Sequence, residues 1–468
     1  SISIDNGGGI GAGGDDNTVT NWGSITVSGG GSAGIAILGD KNKITNGGKV
    51  VSAQAHAILF SGGSGHTLNL LAPGFLGGGI DLGDGTTVNL TTGPSHSVLW
   101  AFSVSSMTND KPSISGPVAG FYNETTRQFA TFDPTVLAGT VNQLGDMQGL
   151  LSGVGRGGLG QDLGQDLGGS GSFGSDTDSA AFGHPLSDGA FWATGFGGTF
   201  DHDGDAATLA RENDQKGGAV GYSWSAHDNL QLSAMAGYLW ASQQAASRWA
   251  ESYALDSSGA FAGLHGRTHL GRVAIDLGAV AGRLSHDSNR FVNDNLATNG
   301  AGLFTGESWA TASYNSWFFS PEVGVSTAID LAKVTLIPSL HLSYARQWID
   351  GYSETGTNAN ATVGAQSLAL LTANAEITLE KQITDRATLS ATGGYLSRTN
   401  LGDETAQVQL LGLSHPVGFG DADSDAFTLG GGLTINAGDQ ASFGINLTTF
   451  LSGTFTGTQG MASVRLRF

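Results

Sequence analysis

Gly30 to Gly34 spell Gly-Gly-Ser-Ala-Gly, the pattern of a nucleophile elbow. In that motif a serine on a strand-to-helix turn attacks a carbonyl, helped by a distant histidine and acid. No helical period follows Ser32, and a chain with 76 glycines produces such matches by chance. "GGGIGAGG", Gly7 to Gly14, has the spelling of a dinucleotide loop, but no strand–helix–strand unit frames it. "DHDGD" at Asp201–Asp205 and "DADSD" at Asp421–Asp425 offer hard oxygen ligands to Ca²⁺. Both segments read as solvated acidic loops. The 11 histidines include no pair at zinc-ligand spacing. No catalytic, cofactor-binding or metal residue is therefore assigned. No cofactor is expected, and the chain does not read as an enzyme.

The charges that do fall into a pattern sit on alternating runs. "MASVRLRF" ends the chain, with Ala462, Val464, Leu466 and Phe468 on one parity and Ser463, Arg465 and Arg467 on the other. Such alternation is a strand with one apolar and one polar face. Val273, Ile275 and Leu277 alternate in the same way against a side holding Asp276. What these charges do depends on which solvent lies on the polar side.

Composition narrows the choice. Only 13% of residues are charged, and the net charge is −20, so nucleic acid is a poor partner. Cysteine is absent, which removes disulfides and thiolate metal sites. No apolar run is long enough for a membrane helix, but a β-barrel spans with alternating strands instead. No signal peptide stands at Ser1, so one is expected to be removed or upstream.

Three zones follow. In residues 1–132, "NTVTNWGSI", "NKITNGGKV", "HTLNLLAPG" and "TTVNLTTG" start at Asn17, Asn42, His66 and Thr86, which are 25, 24 and 20 residues apart. Short β runs repeating at this period predict a parallel β-helix, with Val19, Ile25, Ile44, Val50, Leu68, Val88 and Leu90 in its inner ladder. "SHSVLWAFSV" reads as its apolar cap.

Residues 133–154 predict a helix. Asp133 is its N-cap and Pro134 its first helical position. Its length of roughly 30 Å suits a bilayer core, yet Gly139, Asn142, Gln143, Asp146 and Gln148 make it too polar to face lipid. It is expected inside a pore. Residues 155–188 read as a Gly-rich flexible linker.

Residues 189–468 predict twelve strands, beginning near Ala190, Gly217, Leu230, Tyr253, Leu270, Ala310, Ala332, Gln366, Arg386, Ala426, Ala441 and Thr456. Short links alternate with longer ones, which is the pattern of an outer-membrane barrel. Trp192, Tyr222, Trp224, Tyr238, Trp240, Trp317, Phe318, Tyr344 and Trp348 are expected in interfacial girdles. Asp276, Arg465 and Arg467 then become lumen charges. Arg346, on the lipid-facing parity, either snorkels at the rim or marks a bulge.

This order of parts resembles an autotransporter, the type V secretion family. The resemblance implies an all-β fold: a twelve-stranded antiparallel barrel with a pore-spanning helix, preceded by a β-helical passenger stem. "FATFDPTVLAG" is similar to the family's lead-in to the pore helix. "RLRF", Arg465–Phe468, resembles its C-terminal assembly signal, carried here by Leu466 and Phe468. Some members cleave at an asparagine within the helix. Asn142 is the nearest candidate, although its flanking residues depart from that pattern. The implied function is to anchor and display the passenger on the surface of a Gram-negative cell. The implied partners are outer-membrane lipid, lipopolysaccharide, the barrel assembly machinery and periplasmic chaperones, with a single chain as the working unit. A surface adhesin or glycan-binding stem and a passive porin are the competing readings. A porin leaves the solenoid and the helix unexplained.

Overall fold

The computed structural model describes residues 2–4, 8–104, 107, 111–159, 189–227, 229–331, 333–420, 423–438 and 440–468. The expected linker from residue 160 to 188, and Asp421 of the second acidic cluster, lie outside the described residues.

The N-terminal zone winds as a parallel solenoid. Strands Thr18–Asn21, Lys43–Asn46, Thr67–Leu71, Thr87–Thr91 and Ser113–Ser115 stack in parallel as one face. In this face Val19, Ile44, Leu68 and Val88 are register partners, so the repeat seen in the sequence is the rung itself. Ser24–Val27, Lys49–Ser61, Phe75–Leu82 and Ser97–Val104 form another parallel face. Ile25, Ile44, Val50, Ile58, Leu68, Val88 and Leu90 are buried, while Val19 in the first rung is half-buried. Buried Asn21 and Asn46 form an internal amide ladder at a turn, with Nδ2 donating to Oδ1 at 2.8 Å.

The C-terminal zone is a closed barrel of twelve antiparallel strands. They are β1 Ala190–His202, β2 Arg211–His227, β3 Leu230–Ala246, β4 Glu251–Leu270, β5 Val273–Asp294, β6 Glu307–Thr327, β7 Val334–Ile349, β8 Gln366–Thr384, β9 Ala387–Asn400, β10 Ser424–Asn436, β11 Ala441–Leu451 and β12 Phe455–Arg467. β1 pairs with β12 from Ala190↔Arg467 to His202↔Phe455, which closes the sheet and leaves no free edge. Exterior side chains are mainly apolar. Val220, Leu264, Leu277, Leu342, Ile377, Leu429 and Ile445 are exposed, and their neighbours on the other parity turn inward.

The parity expectation holds for Tyr222, Tyr238, Trp240, Trp317 and Trp348, all of which are exposed outward. It fails for Trp192 and Phe318, which point into the barrel at 5% and 2% exposure. Alternation fixes which residues share a face, but an aromatic suits either side when a packed element fills the lumen. Trp192 lies against Gly158 of the helix, and Phe318 against Gly282. Arg346 is exposed with no register shift in its pairing to β8. Its guanidinium lies 5.2 Å from the Trp348 ring and its Nε donates to Ser367 Oγ, so it snorkels rather than marking a bulge.

β4, β5 and β6 have 20, 22 and 21 residues, far beyond the 9–11 or so that span a bilayer. The surplus projects on the side of the long links and carries the stem. Ser97–Leu99 of the solenoid pairs in parallel with Val292–Asp294 of β5. The expected cap strand is therefore a joint between the two bodies.

Candidate functional site: the helix in the barrel lumen

The helix runs from Thr135 to Gly158, four residues beyond the expected end at Val154, with Pro134 at its cap. The extension is Gly155, Arg156, Gly157 and Gly158, in which three glycines of poor helix propensity outweigh one arginine. Packing supports it instead: Gly155 lets the backbone approach His265, and Gly158 approaches Trp192. Asp133 caps from its side chain, with Oδ1 accepting from Thr135 N at 2.9 Å and Oδ2 from Ser252 Oγ at 2.9 Å. It lies at the outer mouth and is fully buried, and burial pushes its carboxyl above the ordinary range against the pull of those bonds and of Arg290.

Down the helix the barrel wall supplies the polar partners. Gly139 O accepts from Gln243 Nε2 at 3.2 Å, and Gln143 O from Gln215 Nε2 at 3.1 Å. Gln143 Oε1 accepts from Ser257 Oγ at 3.1 Å, and Gln148 Oε1 from Thr372 Oγ1 at 2.8 Å. Asn142, with its oxygen turned to the wall, accepts from His202 Nδ1 at 2.7 Å and Arg211 Nη2 at 2.9 Å. Ser152 donates to Glu322, and Gly158 O accepts from Ser223 Oγ at 2.5 Å.

The strongest clamp is at Asp146, which the sequence marks as one of the residues too polar for lipid but not as a pore-helix site residue. Asp146 is fully buried. Its carboxylate accepts from His202 Nε2 at 2.9 Å, Asn213 Nδ2 at 2.7 Å and Arg398 Nη1 at 3.0 Å. Three strands, β1, β2 and β9, thus converge on one helical aspartate. A carboxylate in the middle of a helix of bilayer length was the available signal, because such a charge needs partners.

The other sequence-chosen charges separate. Asp276 pairs with Arg267 inside the wall, at 2.6 and 3.2 Å, rather than with the helix. Arg465 is buried on the lumen side of β12, and Arg467 is half-buried at the closing edge. Leu466 and Phe468 face outward at 45% and 66% exposure. The Phe468 ring lies 5.7 Å from Phe191, which in turn lies 4.8 Å from Tyr222, forming an outward aromatic cluster.

The helix fills the lumen unevenly. A space of about 240 Å³ remains along Gly145, Gly149 and Gly153, walled by Ser343, Asn374, Thr392 and Gln459. The outer mouth is covered. Tyr352–Ser353, Thr362–Val363, Thr405–Leu410 and Leu413–Gly418 form a small antiparallel sheet. Its Val363, Val408 and Val417 share a core with Phe121, Phe132 and Leu137. Arg290 fastens this lid, with Nε on Glu354 Oε1 at 2.8 Å and Nη2 on Ala359 O at 2.9 Å.

Neither acidic loop holds a metal-ligand group among the described residues. Asp205 instead accepts from Ala207 N and Thr208 N of its own loop, both at 2.7 Å.

The autotransporter beta-domain profile matches residues 191–448. This chain belongs to the autotransporter family. No curated protein matches. Among solved structures, the translocator domain of the autotransporter NalP from Neisseria meningitidis is similar in fold, with a TM-score of 0.54 at 16% identity over 71% of this chain and 99% of that one. The beta domain of the Bordetella autotransporter BrkA gives 0.44 at 14%, over 60% of this chain and 100% of that one. The transport unit of AIDA-I from Escherichia coli gives 0.43 at 11%, over 67% of this chain and 98% of that one. The protein is thus an outer-membrane translocator of a Gram-negative cell, which anchors its N-terminal β-helical passenger and displays it at the surface. The role of such a domain is transport and anchoring.

Proposed function

We propose that Thr135–Gly158 is the resting plug of this autotransporter, left in place once the passenger is outside. The observation that carries this is Asp146, a buried carboxylate held from three strands. Taking one of its partners away strands a charge in the lumen, so the helix is costly to withdraw. Asp133, Pro134, Asn142, Gln143 and Gln148 serve that fit, while Asp276 and Arg465 balance charge in the wall. The mechanism is conformational and turns over no substrate.

On this reading Leu466 and Phe468 form the signal that the barrel assembly machinery reads, after periplasmic chaperones deliver the chain. Their outward exposure at the end of the closing strand supports it. The exterior girdle meets lipid, and on the outer side lipopolysaccharide. One chain suffices, because β1 and β12 already close the sheet. The competing adhesin reading concerns what the displayed stem binds and leaves the anchor unchanged.

Conductance in planar bilayers tests the plug. The intact chain should conduct weakly, and deletion of residues 135–158 should raise conductance several-fold. Equal conductance from the two would reject it. Separately, deletion of Phe468 should lower the amount of heat-modifiable folded barrel in outer-membrane fractions while synthesis continues. An unchanged amount would reject the signal.

A further inference from the structure

The helix packs closely on one side of the lumen. There it meets β2, β3 and β4, whose inward Asn213, Gln243 and Ser257 are buried against it. Toward β7 to β12 it turns Gly145, Gly149 and Gly153, and the space of about 240 Å³ lies between. Glycines there let another body approach the helix backbone closely.

The space is a tube closed at one end. Its mouth lies by the short link between β8 and β9, where the inward-facing Glu376, Thr378 and Glu380 are half-buried. Short links face the periplasm in such barrels, so the tube opens there. Leu396 and Phe450, both 4% exposed, shut the far end, backed by Phe200 and Phe455. The Phe450 ring lies 5.8 Å from Phe200 and 6.4 Å from Phe455.

Polar groups are ordered along the tube. At the closed end Gln148 Nε2 and Arg398 Nε, on side chains 3% and 5% exposed, find no acceptor among the described residues. They converge, because Gln148 Oε1 accepts from Thr372 Oγ1 at 2.8 Å and Thr372 is the register partner of Arg398. Burying such donors unmet is costly. Arg398 meanwhile keeps Nη1 on Asp146 at 3.0 Å, so the clamp uses a different nitrogen. Midway, Asn374 Oδ1 on β8 and Gln459 Oε1 on β12 find no donor among the described residues. At the mouth stand Glu376 and Glu380, and Asn374 Nδ2 donates to Glu376 Oε1 at 2.8 Å. Glu376 follows Thr372 by four strand positions, about 13 Å.

We propose that this tube binds a short extended peptide with free ends, which enters from the periplasm carboxyl end first. The ligand's carboxylate accepts from Gln148 Nε2 and Arg398 Nε, as charge-assisted bonds. Its backbone N–H groups donate to Asn374 Oδ1 and Gln459 Oε1, and Ser343 and Thr392 offer hydroxyls to its carbonyls. Its ammonium meets Glu376 and Glu380. The span suits about three or four extended residues. Their side chains must be small, since glycines supply the width. A polyamine brings no acceptor to the buried donors, and a neutral sugar makes no use of the carboxylates at the mouth. The site rests on the helix standing in the lumen as the plug, because the helix is one of its walls.

The test is calorimetric titration of the purified full chain in detergent with tetra-alanine carrying free ends. Saturable binding at one site per chain is expected. Amidating the peptide's C-terminus should weaken binding about tenfold or more, because two buried donors lose a charged acceptor. Acetylating its N-terminus should weaken binding only about threefold, because the mouth is wet and ion pairs there are screened. Glu376→Gln should weaken the free peptide by a similar factor and leave the acetylated one unchanged. Gly149→Leu fills the tube and should abolish binding, while heat-modifiable mobility shows that the barrel still folds. Equal binding of the free and the amidated peptide would overturn the proposal, and that comparison needs no variant. So would acetate binding as tightly as the peptide, since the closed end alone would then account for it. The site and the plug fail separately: no peptide binding, with conductance still raised by deletion of residues 135–158, overturns the site alone.

Discussion

The stem and the anchor use the same strand alternation with opposite solvents. In the solenoid the apolar parity turns inward: Ile25, Ile44, Ile58 and Leu68 stack in a dry core, and Thr20, Thr45 and Asn69 face water. In the barrel the apolar parity turns outward to lipid, and the inward side holds Asn213, Gln243, Ser257 and Asp146's other partners. The difference shows that alternation encodes two faces and leaves open which of them is inside. What decides is the solvent beyond the sheet together with the element that fills the interior. A solenoid is too narrow to hold anything but its own side chains. The barrel is wide enough for a helix, so its interior becomes a polar contact surface.

Core truncation should show the largest contrast. Ile58→Ala empties a fully buried rung position and should cost about 2–5 kcal/mol of stem stability. The stem should become protease-sensitive at lower urea while the barrel stays heat-modifiable. Loss of both together would mean that the two cores are one.

Adjacent residues on β7 test the inversion next. Leu342 points outward at 42% exposure, and Ser343 lines the open space beside the helix. Leu342→Arg should cost about 2–4 kcal/mol near mid-bilayer, and Ser343→Arg much less, read as urea resistance of the folded barrel. Equal effects would refute the assigned faces. Ser233, which parity alone would offer as a lumen control, is unsuitable. It accepts from Trp192 Nε1 at 3.1 Å and meets Gly158.

The joint between the regions should respond to pH. His96 lies in it, with Nδ1 2.9 Å from Ser247 Oγ and its ring against Phe75 and Phe291. Burial, helped by Lys49 and opposed by the Gly74 backbone, lowers its pKa from 6.5 to about 4. Below 6.5 an undocked stem binds a proton that the docked one refuses. Docking is therefore fully favoured above that pH and loses up to about 3 kcal/mol as pH falls toward 4. Crosslinking between stem and barrel cysteines across this range should record the loss, and His96→Gln should flatten it.

The smallest effect should come from Asn293→Ala. It leaves Leu76 N and Trp100 Nε1 without their shared acceptor, and should cost about 1–3 kcal/mol. The same crosslink should weaken with barrel mobility unchanged.

The sequence by itself determined the rungs and the strands. A fixed repeat with apolar residues at two-residue spacing can only stack, so Val19, Ile44, Leu68 and Val88 fall in register. Twelve runs with a low charge content and long links on alternate sides fit a closed barrel, and Asp133 with Pro134 marks a helix start from local chemistry alone. Tertiary structure decided the rest, because those choices depend on what lies across a gap. Arg398 and Asp146 are 252 positions apart, and nothing local pairs them. Trp192 and Phe318 turn inward because helix and wall glycines leave room there. Gly155–Gly158 stay helical because His265 and Trp192 pack on them. Asn293 reads as a loop residue until the stem's backbone arrives to use its amide. Local patterning sets the period and the faces of an element, whereas its partners are set by the space the whole fold leaves to be filled.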